Sequence, residues 1–160
     1  MENLIPDWAP NIHPLLVHFP IAILITATLA DFALVIWDKT WIRKTVLGLF
    51  TFGILMLVIT YLSGKQAVDA VDIPLKAQHT ASYHADWALK TLFFYGFYLM
   101  IRWVLNYAQY DRKRWVAILL FIVGMAGIGF IAKTADLGGH LVFGHGVGVH
   151  QTSNKNSITN

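Results

Sequence analysis

Four long apolar runs decide what this chain can become. They extend from about Leu15 to Trp37, from Thr45 to Leu62, from His79 or His84 to Tyr107, and from Trp115 to Ala132. Each is roughly 18 residues or longer, and a bilayer core of about 30 Å needs about 20 helical residues per crossing. Four crossings take about half of the 160 residues, which leaves too little for a second folded domain. The composition points the same way, with 56% hydrophobic and 13% charged residues against a soluble average of about 25% charged. The expected fold is all-α: a membrane-embedded antiparallel four-helix bundle over residues 1–150, followed by a flexible polar tail at 151–160.

Positive charge in short loops predicts the direction of the crossings. Lys39, Arg43 and Lys44 share one turn, and Arg112, Lys113 and Arg114 share another. Both turns are expected in the cytoplasm, which places both termini on the outer side of the membrane. Met1 to Asn11 has no Lys or Arg, so it lacks the basic region of a cleaved signal peptide, and the first span is expected to be retained. Trp8, Trp37, Trp41, Trp87, Trp103 and Trp115 fall near span ends, where an indole keeps its N–H wet and its ring in lipid. Ser63-Gly64 reads as the stop of the second helix. Pro20 predicts a bend or a late start in the first helix, because proline frees the Leu16 carbonyl from its normal partner.

The absence of cysteine excludes thiolate zinc sites, iron–sulfur clusters, disulfides and covalent haem attachment. Any metal must sit on nitrogen or oxygen. A net charge of +3, with the basic residues in short groups between apolar runs, offers no face that could follow a phosphate backbone, which argues against nucleic acid. There is no H-E-x-x-H and no G-x-G-x-x-G.

The seven histidines carry the functional signal. His13 and His18 open the first span, His79 and His84 the third, and His140, His145 and His150 follow the fourth, so all seven fall on the expected outer side. Five residues turn a helix by about 500°, leaving the members of a pair about 140° apart. At most one of each pair is then expected to point inward. His18 and His84 are the first-choice pair, meeting across the bundle at similar depth. The glycine-rich segment from Gly138 to His150 is too broken to continue a helix and is expected to fold back over the outer mouth, bringing His145 near them. The candidate cofactor-binding residues are His18, His84, His145 and His13, and the candidate metal ligands are His18, His84 and His145. A b-type haem needs two neutral imidazoles from opposed elements and an apolar slot, for which Leu16, Phe19, Trp87 and Phe93 are the expected wall. Imidazole also suits copper or zinc. The remaining reading is a structural or partner-binding membrane module, in which the histidines only complete hydrogen bonds.

Charges inside spans are costly and default to functional candidates. Asp31 is expected to reach the cytoplasmic interface, with a proton relay as the alternative. Asp86 and Lys90 are expected to pair along one helix face, and Arg102 to snorkel outward. Gly124, Gly127 and Gly129 are expected to permit close helix packing.

The two ends of the chain carry a family pattern. His13-Pro14-Leu15-Leu16-Val17-His18-Phe19-Pro20-Ile21-Ala22 and Gly138-Gly139-His140-Leu141-Val142-Phe143-Gly144-His145-Gly146-Val147-Gly148-Val149 resemble an uncharacterised family of predicted bacterial four-helix inner-membrane proteins, a domain of unknown function. The resemblance covers residues 11–150, with Gly64 and His84 fitting its middle. It singles out His13, His18, His84 and His145, and leaves His79, His140 and His150 outside the pattern. Some members resemble this chain joined to cytochrome-c-like modules, which implies a redox neighbourhood, with a quinol or a periplasmic cytochrome-like protein as electron partner.

Overall fold

A computed structural model describes residues 11–149. The expected polar tail, His150 and Trp8 lie outside the described residues. Every long element is helical: α1 (His13–Leu16), α2 (His18–Ile36), α3 (Thr40–Ala70), α4 (Leu75–Tyr107) and α5 (Arg114–Gly139). A 3₁₀ turn at Tyr110–Arg112 precedes α5, and a π-helical turn at His140–Gly144 follows it. Four stretches are long and apolar enough to cross a membrane: His13–Ile36, Thr40–Ala70, Leu75–Tyr107 and Arg114–Gly144.

The helices form a closed ring in which α2 touches α3, α3 touches α4, α4 touches α5, and α5 touches α2. This leaves α2 and α4 on a diagonal. Neighbours run in opposite directions, because contacts that climb one helix descend the next: His13 meets Ser63 and Leu16 meets Thr60, while His84 meets Thr134 and Tyr98 meets Leu120. One end of the bundle, here the open end, carries His13, the α3–α4 connection and the π turn. The other, the turn end, carries the α2–α3 and α4–α5 connections.

Two expected breaks fall elsewhere. Helix α3 does not stop at Ser63-Gly64 but continues to Ala70, giving 31 residues and a length of about 46 Å, well beyond a bilayer core. A glycine inside a helix costs only about 1 kcal/mol, too little to end one without a second signal. That signal is Pro74, which disfavours helical backbone in the residue before it and itself stands extended at the N-cap of α4. Likewise α5 passes through Gly138 and the chain winds on to Gly144 before turning back. The reversal comes at Gly146, whose φ of 70° lies in the left-handed region.

The proline break does occur. Val17 separates α1 from α2, and Pro20 is buried inside α2. The Leu16 carbonyl that Pro20 cannot serve accepts instead from the Thr60 hydroxyl at 3.3 Å. A polar group freed by sequence is thus satisfied by the neighbouring helix, as a water-free interior demands.

Leu24, Ala27, Val46, Phe50, Ile54, Tyr95, Tyr98 and Leu120 fill the centre. Gly127 lies against the Tyr95 ring, where a Cβ would come within 2.7 Å of its hydroxyl, while Gly129 faces open space. Of the three expected packing glycines on α5, Gly129 therefore does not serve. Replacing Gly127 by Ala should cost about 1–3 kcal/mol through overpacking, whereas Gly129→Ala should leave stability unchanged or slightly raised. Thermal unfolding of the two variants in detergent checks the contrast.

Candidate functional site

At the open end, His13 turns into the bundle. Its Nδ1 lies 3.0 Å from Ser63 Oγ, and that hydroxyl donates its only proton to the Thr60 carbonyl at 2.8 Å. With that proton on the carbonyl, Ser63 Oγ is the acceptor, which assigns the hydrogen of His13 to Nδ1. Behind the ring stands Gly64, where a Cβ would meet His13 Cε1 at 3.0 Å. The glycine that reads as a helix stop instead makes room for an imidazole.

On the diagonal helix α4, His84 repeats the arrangement. Its Nδ1 is 3.0 Å from the Thr134 carbonyl, which can only accept, so Nδ1 again carries the hydrogen. Gly138 of α5 lies behind that ring, and a Cβ there would come within 3.2 Å of His84 Cε1. Both rings stand at the open end, one on α1 and the other on α4. In each ring Nε2 then has no hydrogen-bond partner among the described residues, and its orientation is fixed from the far side. Metal-ligating histidines are commonly held this way, one nitrogen anchored to a carbonyl or carboxylate and the other free to bind.

The other histidines are placed differently. One member of each five-residue pair points inward, but at the first span it is His13. His18 is exposed, so the expected meeting of His18 with His84 does not form. The five-residue separation left the choice open; Ser63 and the space at Gly64 receive His13. His79 is exposed and stacks on Tyr83. His145 is half-buried at the start of α4, its Nε2 3.2 Å from Thr80 Oγ1, and the exposed His140 stacks on it. The helical continuation of α5 through Gly144, and not the expected folding back, places His145 at the open end beside Thr80. Of the expected slot wall, Leu16 and Trp87 are half-buried, but Phe19 is 50% and Phe93 70% exposed. Both phenylalanines lie on the outer surface, with no helix left to cover them.

Below His84, the inward stripe of α4 is polar. Thr91 Oγ1 bonds Thr134 Oγ1 at 2.9 Å. Tyr95 is fully buried, and its hydroxyl has no partner among the described residues. Tyr98 donates to the Leu120 carbonyl at 2.7 Å. Arg102 then reaches across the diagonal to Asp31 with two bonds, Nη1 to Oδ2 at 2.6 Å and Nη2 to Oδ1 at 2.8 Å. Its guanidinium also bonds Tyr98 and lies 4.5 Å from the Phe50 ring centroid. Asp31 is 2% and Arg102 6% exposed. Neither reaches the interface as expected, because each neutralises the other more cheaply inside the bundle than a bent side chain would at its edge. The partners are 71 residues apart, so no local pattern pairs them. The signal that was present is periodic: Arg102 follows His84 by eighteen residues, five turns of about 3.6 residues, and so shares its face.

Asp86 and Lys90 also depart from expectation. Both are exposed, no ion pair joins them among the described residues, and Lys90 Nζ lies 5.2 Å from the Trp87 ring centroid instead.

Removing one member of the buried pair should be far worse than removing both. Asp31→Ala should cost about 3–5 kcal/mol, and the double variant Asp31→Leu with Arg102→Met should recover most of it. Denaturation of the reconstituted single and double variants measures the difference.

Comparison with curated proteins and with solved structures finds no match. The family model described as "Predicted membrane protein (DUF2231)" matches residues 9–151, a stretch that includes α1 to α5, both anchored imidazoles and the diagonal ion pair. The chain belongs to this family of membrane proteins.

Proposed function

We propose that this protein is a bacterial inner-membrane electron-transfer module that holds a b-type haem at its open end through His13 and His84, with the open end on the periplasmic side. The single observation that carries the reading is the paired anchoring of the two rings, each with Nδ1 donating and Nε2 free. The Trp87 indole N–H, one turn from His84, is buried with no hydrogen-bond partner among the described residues. When bound, haem supplies one-electron chemistry. The chain's own residues fix the two imidazoles, keep them neutral donors of nitrogen lone pairs, and exclude lipid from their anchored sides. A quinol or a periplasmic cytochrome-like protein is the natural electron partner.

Ligand arithmetic favours haem over a bare ion. Among the described residues no three of His, Asp and Glu stand close enough together to hold a metal. Zinc takes about four protein or water ligands, whereas haem would bring ring nitrogens of its own and ask the protein for two more donors. A copper or zinc site is the second reading, favoured by the outward placement of Phe19 and Phe93. It would use His13 and His84, with water completing the shell, since His145 does not join them closely enough to make a third ligand. A module without any cofactor is the third.

Protein purified from haem-replete cells should show reduced-minus-oxidised haem bands. His13→Ala and His84→Ala should abolish them, and His18→Ala should keep them. Ser63→Ala, which removes only the anchor of His13, should weaken retention by about 10–100-fold. Lack of a Soret band rejects haem, and elemental analysis of the same sample decides between a bound copper or zinc and no cofactor.

A further inference from the structure

Among the described residues, charge is divided unevenly between the two ends. In the open half, Lys65, Lys76, Lys90 and Lys133 are matched in number by Asp69, Asp72, Asp86 and Asp136, and in the core Asp31 cancels Arg102. The turn end alone keeps an excess: Lys39, Arg43, Lys44, Arg112, Lys113 and Arg114 face only Asp38 and Asp111. One side chain engages both of those carboxylates, since Arg43 pairs with Asp38 and lies 3.5 Å from Asp111 Oδ2. The same contact clamps the α2–α3 turn to the α4–α5 turn, so the other basic residues form one patch. Lys39, Lys44, Arg112, Lys113 and Arg114 are all exposed, and none enters an ion pair among the described residues. Helices α3 and α5 both begin here without an acidic residue in the first turn, so the partial positive charge of each N-terminus adds to the patch.

The surroundings of the patch say where its counter-charge comes from. Trp37, Trp41 and Trp115, which flank these basic residues in the chain, are 59%, 68% and 62% exposed, and such tryptophans mark the level where hydrocarbon meets water. On the hydrocarbon side of them Ile36, Ile118 and Leu119 are exposed too, an apolar surface suited to acyl chains. Arg112 and Arg114 also line the cleft between the two turns. We propose that the turn end binds anionic phospholipid, with phosphatidylglycerol as the chemical type and its phosphate against this basic patch. A zwitterionic headgroup brings an ammonium of its own, which cancels its phosphate and meets more cations than carboxylates here. A soluble anion would meet the same charge but would make no use of the apolar surface beside it.

Native mass spectrometry of the detergent-purified chain tests this, with phosphatidylglycerol or phosphatidylcholine added at equal concentration. Phosphatidylglycerol should be retained about tenfold or more over phosphatidylcholine. Arg112→Gln with Arg114→Gln should lower its retention by about tenfold or more, the worth of two basic residues beside an anionic surface. Lys39→Gln with Lys44→Gln, exposed on the other turn, should do the same. Lys65→Gln with Lys76→Gln, at the open end, should leave retention unchanged. Equal retention of the two lipids by the wild-type chain overturns the proposal. A preference that survives both turn-end double variants, or that falls as far in the open-end variant, overturns it as well. Displacement of the lipid by an equal concentration of soluble glycerol phosphate makes a free phosphate ester the ligand and overturns the assignment to lipid.

Discussion

A bilayer interior contains no water to finish a hydrogen bond, so each polar group that enters it must find its partner within the protein. The bundle meets this demand by turning polar residues inward, where a soluble protein would turn them out. The deepest of them, Asp31 and Arg102, meet across the diagonal of the ring, and Tyr98 completes the arrangement. Helices α2 and α4 share no face, and this ion pair joins them directly through the core. It fixes their relative rotation, because a two-pronged guanidinium–carboxylate contact tolerates little twist.

The same diagonal appears at the open end. His13 leads into α2 and His84 belongs to α4, so the helices clamped by charge at one end present two imidazoles at the other. Rotating α4 to break the ion pair would carry His84 away from Thr134 and from the recess at Gly138. In this way the structural pair and the candidate site depend on each other, although about 27 Å of helix separates Arg102 from His84 along α4 at about 1.5 Å per residue. The inward stripe between them, Thr91, Tyr95 and Tyr98, supplies hydroxyls instead of methyl groups. Helix contact within a membrane relies on close packing and on such hydrogen bonds, since lipid is as apolar as any side chain.

The four spans were legible because hydrophobic length is a local property. The inward placement of one histidine per pair was legible too, from helical periodicity alone. Which histidine it would be was not, since that depends on the hydroxyl that Ser63 supplies from fifty residues away and on the space left at Gly64. Gly64 misled for the same reason: a glycine that admits a ring and a glycine that ends a helix look alike until the partner is in place. Asp31 and Arg102 each looked expensive enough to seek the interface. Only the folded ring brings them close enough to settle inside.

The central claim is that His13 and His84 are both anchored through Nδ1 and both present a bare Nε2. Nitrogen-15 NMR of histidine-labelled protein reads this directly at pH 8, where an ordinary imidazole, with a pKa of about 6.5, is neutral. Both rings should appear as the Nδ1–H tautomer, with an unprotonated Nε2 in each. Finding the hydrogen on Nε2 of either ring would contradict the claim, because that lone pair would then point at the protein and not into the site.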